Sequence, residues 1–306
     1  MNSDSTSRSV TGVEEQVLGL PIDPAVMFSD HKGEYKPRIE KRQKKLLEKI
    51  RVIKPFLKKD EKILLVTTGC SKMPLLEQFT LGWIIIYLKR SVFVFTNKRI
   101  FHIPSRWDYS YRNSIAQIPY NDCQSIRQSG SKLIPTYKNG EKEKFLYINR
   151  ADRKRIRALL EKVSFEGLPT KAAKKIHLCP RCTSELEHDI YACPSCKLEF
   201  KNKAKGRLIS LLAPGGGYFY TGHPFLGISD AIVEGVLIIV AIAALIELAQ
   251  GQEAAAAGLV LVLIILALEK ALSIYHANKF IEEFIPVERN IKPIDKTGLP
   301  QPVVPV

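Results

Sequence analysis

The sequence predicts a multidomain α+β membrane protein, and three observations predict it. The formal net charge of +15 over 306 residues is unevenly placed: after residue 203 only seven cations face nine acids, so the whole excess belongs to the front of the chain. Strand-period runs between about residues 60 and 165 are followed by one amphipathic helix. Behind them come two Cys-x-x-Cys knuckles and then two long apolar runs, 225–248 and from 254 to about 276. Six cysteines, 18 glycines and 18 prolines exclude disulfide-scaffold, collagen-like and wholly disordered classes.

Residues 1–35 read as a flexible N-terminal segment. Met1–Gly12 are polar, with neither a charged n-region nor an apolar h-region, so no cleavable signal peptide is expected and the front half is expected to stay cytoplasmic. Residues 36–59 form a basic amphipathic helix: Ile39, Leu46, Leu47, Ile50, Ile53 and Leu57 recur at helical spacing among lysines and arginines, and Pro55 ends or bends it. Its cations suit an anionic membrane leaflet, where each nearby Lys or Arg is worth about 1 kcal/mol. They also suit a solvated face whose apolar stripe packs on the next domain.

Strands are expected at Lys62–Thr68, Gly82–Leu88, Val92–Thr96, Arg99–Ile103, Ile115–Pro119, Cys123–Gln128, Lys132–Tyr137 and Phe145–Ile148, punctuated by turns such as Asn139-Gly140. A helix over Asp152–Val163 turns Ile156, Leu159, Leu160 and Val163 to one side and Arg153, Lys154, Arg155 and Arg157 to the other. The stretch Val94-Phe-Thr-Asn-Lys-Arg-Ile-Phe101 resembles a hairpin of bacterial pleckstrin-homology and GRAM-like domains, and Ile118–Ile126 resembles their next strand pair. The resemblance implies a pleckstrin-homology-like β-barrel with a C-terminal helix over residues 60–165. Membrane-surface binding is assigned to Lys41, Arg42, Lys44, Lys45, Arg153, Lys154, Arg155 and Arg157.

A linker, 166–175, leads to a small zinc ribbon at 176–200. Cys179-Pro-Arg-Cys182 and Cys193-Pro-Ser-Cys196 each aim two thiolates at one tetrahedral centre, and together they close a four-sulfur shell with no open position. That is the pattern of a structural zinc site; four thiolates also accept iron. A redox reading lacks the surrounding βαβ pattern. His177 and His188 are expected at the surface or in hydrogen bonds, and Cys70 and Cys123 as buried thiols of a reducing compartment. Arg181 and Lys197 are outnumbered by Glu185, Glu187, Asp189 and Glu199, so the ribbon is no basic nucleic-acid surface.

The apolar runs are long enough to cross a bilayer core of about 30 Å. The cation-free turn Ala249–Glu253 joins them, and Pro214 with its glycines must break any helix ahead of them. Pro214, Gly215, Gly217, Tyr220 and Gly222 match the opening Pro-Gly-x-Gly-x-x-Tyr-x-Gly of a bacterial two-transmembrane-helix hairpin family that residues 204–280 resemble. Gly217-Tyr218 stand where related domains carry a charged or His-Arg pair. The resemblance implies topology rather than a reaction. Lys201, Lys203, Lys205 and Arg207 before the pair, and Lys270 and Lys279 at its far end, put both termini in the cytoplasm of a multi-pass inner-membrane protein. Asp230 and Glu234 share one helix face within or near the hydrocarbon, where acids pair with cations, serve an ion or proton path, or reach interfacial water. Residues 281–306 read as a C-terminal tail.

No phosphate loop, nucleophile elbow or His-Glu-x-x-His occurs, so the chain is not expected to be an enzyme. The expected function is a non-enzymatic inner-membrane adaptor or sensor. Its expected partners are the lipid bilayer with its anionic lipids, a membrane or cytoplasmic protein, and a second copy of itself. The alternatives are a channel or transport accessory protein using the intramembrane acids, and a membrane-tethered zinc-ribbon regulator of nucleic acid, the latter disfavoured by the tether.

Overall fold

The computed structural model describes residues 16–170, 174–187, 189–288 and 291. The chain divides into two compact units, Met1–Ile176 and His177–Val306.

In the first unit the expected flexible segment holds structure from Gln16 onward. Strands β1 (Gln16–Val17) and β2 (Leu20–Pro21) pair as a hairpin, and α1 (Pro24–Met27) follows, its N-terminus capped by Asp23. Leu20, Ile22, Met27 and Phe28 are buried, which holds the segment in place. The basic helix α2 runs over Pro37–Lys49 and passes into a 3-10 turn, Arg51–Phe56, that accommodates Pro55. Gln43 anchors it: the amide donates to Val66 O and accepts from Val66 N, both at 2.8 Å.

Next come β3 (Ile63–Cys70), an excursion of two short helices, α3 (Leu75–Leu81) and α4 (Ile85–Leu88), then β4 (Arg90–Thr96), β5 (Arg99–Pro104) and β6 (Ile115–Pro119). These four strands are successive antiparallel neighbours. The predicted strand Gly82–Leu88 is therefore helical. Leu81, Ile85 and Ile86 pack on Cys70 and Met73, and a six-residue apolar run cannot by itself distinguish a strand from a short helix.

Strands β7 (Cys123–Ser129) and β8 (Lys132–Tyr137) form a separate hairpin. The predicted strand Phe145–Ile148 is a series of isolated bridges: Phe145 exchanges both backbone hydrogen bonds with Leu133, and Leu146 exchanges both with Cys70. Tyr147, at φ 52°, interrupts the regular ladder. Among the described residues the sheets stay open, so the expected closed barrel does not form. Helix α5 (Arg153–Leu160) buries Ile156, Leu159 and Leu160 against Phe93, Phe95, Phe145 and their neighbours.

The second unit begins as β9 (Ile176–Leu178) ends and β10 (Glu185–Leu186) pairs with it. Four helices follow: α6 (Lys203–Leu212), α7 (Gly216–Thr221), α8 (Pro224–Ala249) and α9 (Ala255–Ile281). The helix break expected at Pro214 is confined to Ala213–Gly215, after which a six-residue helix resumes. Helices α8 and α9 have 26 and 27 residues and are long and apolar enough to cross a membrane; their apolar windows are only 11% and 6% buried. The expected tail returns to the ribbon. Phe200 bridges Pro286, Lys201 N donates to Ile285 O at 2.9 Å, and Val287 N donates to Glu199 O at 3.0 Å.

Candidate metal centre and the sites around it

The two knuckles fold as near copies. Cys179 N donates to Ser184 O and Cys193 N to Leu198 O, at 2.8 and 2.9 Å. The residue after each second cysteine, Thr183 or Lys197, adopts a left-handed backbone, φ 64° and 59°. Thr183 N returns to Cys179 O, and Lys197 N to Cys193 O. Each loop thereby curls its two sulfurs to one side. Cys179 and Cys196 Sγ lie 3.5 Å apart, as do Cys182 and Cys193 Sγ, and all four sulfurs lie within 4.8 Å of one another. A metal with sulfur ligands at about 2.3 Å in a tetrahedron separates them by about 3.8 Å, so the shell fits a metal ion. A disulfide would need about 2.05 Å, and all six cysteines are free.

Burial pushes the Cys179 thiol up. At Cys182 burial also acts upward but is outweighed by the Ser184 hydroxyl and amide and the neighbouring thiols, which hold it at about 7. Leu186, Leu198, Phe200 and Phe284 pack around the sulfurs. His177 stacks on Phe284 at 4.8 Å rather than joining the shell, and His188 lies outside the described residues. Cys70 and Cys123 are buried thiols, raised by burial to about 11 and about 12.

The hairpin motif is a packing device. Gly215 has φ +66°, and a Cβ there would lie 2.0 Å from Gly227 O; a Cβ at Gly217 would lie 2.2 Å from Ser210 Oγ. The Tyr220 hydroxyl accepts from Asn202 N at 2.9 Å at the start of α6. Pro214 is exposed in the break itself, and Gly222, at φ +81°, ends α7. The two acids gain partners that their spacing did not reveal. Glu269 on α9 comes within 4.8 Å of Asp230 and Glu234, and Lys270 Nζ pairs with Glu234.

The cations assigned to a membrane surface separate into two groups. Lys41, Lys44, Lys45, Lys154 and Arg157 are exposed. Arg155 is buried: it donates to Asp152 Oδ1 at 3.0 Å and to Met27 O at 2.5 Å. Arg42 pairs with the same aspartate, which also accepts from Thr67 Oγ1 at 2.8 Å, and Arg153 donates to Ile148 O at 2.9 Å. Asp152 at the helix start, three residues before Arg155, was the sequence signal for that inward pairing.

A feature absent from the sequence reading lies at one end of the first unit's sheet. In the excursion between β3 and β4, Leu75, Phe79 and Trp83 are 83%, 90% and 71% exposed; in the β5–β6 loop Trp107 is 74% exposed. Arg90 joins the two loops. Its guanidinium stacks on Tyr87 at 4.5 Å and on Tyr109 at 5.1 Å and donates to Trp107 O.

No family model matches the chain, and no curated protein matches it. Among solved structures the chain is similar to the C-terminal domain of an unknown protein from Leishmania infantum, with 13% identity over 40% of this chain and 96% of that one; at a TM-score of 0.25 the likeness carries no argument.

Proposed function

We propose that this chain is a non-enzymatic membrane-anchored adaptor or sensor whose front unit docks on a lipid surface. Helices α8 and α9 are its anchor, spanning the inner membrane as a hairpin. The lysines and arginines beside its open end favour a cytoplasmic side for both termini. The four cysteines hold zinc as a structural clamp. The first unit is a pleckstrin-homology-like module: four antiparallel strands, a hairpin, a bridging segment and a closing helix follow the order the family resemblance implies, with the sheets left open.

One observation carries the reading. The chain has two tryptophans, and both stand exposed at the same end of one sheet, with Phe79 and Leu75 beside them and Arg90 between. Exposed aromatic and apolar groups gathered this way suit the headgroup boundary, where an amphipathic ring has one side in hydrocarbon and the other in water. The two acids of this region are both paired: Glu77 is buried 3.5 Å from Lys89, and Asp108, beside Trp107, lies 3.6 Å from Lys49 and accepts from the Ser110 hydroxyl at 2.7 Å. The exposed lysines of α2 supply a salt-screened attraction to anionic leaflets.

Full-length protein in vesicles whose acyl chains carry bromine near the headgroup tests this directly, because all indole emission reports on the edge. We expect quenching in both Trp83→Phe and Trp107→Phe, each retaining about half of the parent amplitude. Emission quenched by aqueous acrylamide but not by brominated lipid overturns the docking and favours a protein partner.

A further inference from the structure

The polar groups between α6, α8 and α9 fall into a satisfied pair and an unsatisfied set. Lys270 Nζ donates to Glu234 and to Ser210 O at 2.8 Å, and Glu234 Oε1 accepts the Gly215 N–H at 3.4 Å. That carboxylate and ammonium neutralise each other. Asp230 and Glu269 remain, with carboxylate oxygens that converge within 4.8 Å. Asp230 Oδ2 and Glu269 Oε2 are buried and meet no hydrogen-bond donor. Ser273, one turn beyond Glu269, is 1% exposed; its hydroxyl lies beside Asp230 yet has no hydrogen-bond partner.

Position makes the imbalance expensive. Glu247 and Glu253 flank the turn joining the spans. Asp230 lies 17 residues before the former and Glu269 16 residues after the latter, about 26 and 24 Å along the helices. A hydrocarbon core is about 30 Å thick, so with the turn at one face the acids lie inside it. Two unpaired carboxylates are not sustained there. One shared proton would leave a net negative charge. One divalent cation neutralises both acids and engages all three orphan oxygens.

We infer that Asp230, Glu269 and Ser273 form a second metal site, for a hard divalent cation. An all-oxygen donor set selects Mg²⁺, Mn²⁺ or Ca²⁺ over the thiophilic metals of the four-cysteine shell. The ion would tie α8 to α9 at the depth where the hairpin is most polar. Of the proposed function, the inference uses only the reading of α8 and α9 as membrane spans.

Mn²⁺ is the probe. Full-length, zinc-loaded protein in discs of zwitterionic lipid is titrated with Mn²⁺, the loss of the free-ion electron paramagnetic resonance signal giving stoichiometry and affinity. We expect one Mn²⁺ per chain, bound at least ten-fold more weakly by the near-isosteric Asp230→Asn/Glu269→Gln variant and several-fold more weakly by Ser273→Ala. Equal binding by the parent and both variants overturns the site, as does the absence of bound Mn²⁺ in the parent. Should the double variant fail to fold, Ser273→Ala decides, since it removes one ligand and no charge. Loss of lipid quenching at the tryptophans would leave the manganese count unchanged, and topology labelling fails or succeeds independently of it.

Discussion

Glu61 holds the guanidinium of Arg99 in full burial, Nε reaching Oε1 at 3.0 Å and Nη2 reaching Oε2 at 2.8 Å. The surrounding groups complete the pair. Thr96 Oγ1 donates to Glu61 Oε1 at 2.8 Å, Arg99 Nη2 donates to Phe56 O at 2.6 Å, and Arg99 Nη1 donates to Gln117. Thr96, Lys98 and Arg99 thus use their motif positions to close the β4–β5 turn around a carboxylate 38 residues upstream.

Burial acts to raise the Glu61 carboxyl, but Arg99 outweighs it and holds the group below its usual 4.5. A depressed acid contributes stability that is complete above the unfolded value and is lost as pH falls through the folded one. Amide hydrogen exchange of β3 to β5 in the full chain should therefore accelerate below about pH 4.5. Glu61→Gln should remove that acid sensitivity and cost roughly 3 to 5 kcal/mol at neutral pH by stranding a buried guanidinium.

Arg155 and Lys154 are sequence neighbours on α5 with opposite expected outcomes. Arg155→Gln should destabilise the first unit by several kcal/mol, because Asp152 stays buried with less compensation. Lys154→Gln should change thermal stability by less than about 0.5 kcal/mol. Equal effects at the two positions would refute the buried network.

What was legible in the sequence follows from range. The four cysteines, the two long apolar helices and the glycine motif are local patterns, and the structure places all of them as spaced. Glu61 for Arg99 and Glu269 for Asp230 are partners 38 and 39 residues away, brought together only by packing. The run Trp83–Leu88 misled because its apolar period fits either element. Arg155 misled because a cation in a basic helix reads as solvated until Asp152 and Met27 close over it.

The metal shell is tested by content and spectrum. Freshly reduced protein should contain one zinc or iron per chain. Cobalt substitution should give thiolate charge-transfer bands of a four-sulfur site. Cys179→Ser should lose the metal and loosen the packing of Leu198 and Phe200.

Gly215→Ala brings a Cβ to 2.0 Å from Gly227 O at a left-handed backbone position, and should cost roughly 1 to 3 kcal/mol or more in detergent unfolding. Substitution of Gly235 by Ala, where a Cβ meets nothing, should be neutral or slightly stabilising.

Topology is tested by reporters fused after residues 200 and 285, both expected to score cytoplasmic, with a label at Gln250–Gln252 reachable from outside. A non-cytoplasmic score at either reporter position would discard the hairpin.

Phe284 belongs to the ribbon's core although it follows α9 in the chain, packing on Phe200 at 5.6 Å. Synthesis therefore delivers all four thiolates long before the side chain that seals them. A ribosome must complete both apolar helices before the ribbon can be finished, so a nascent ribbon remains incomplete until α8 and α9 have been made. Once Pro286 meets Phe200, a loop of more than eighty residues is closed at its base, and tension drawn across the two ends of that loop falls on the Phe200–Pro286 bridge and the Phe200–Phe284 contact before it reaches the sulfur shell.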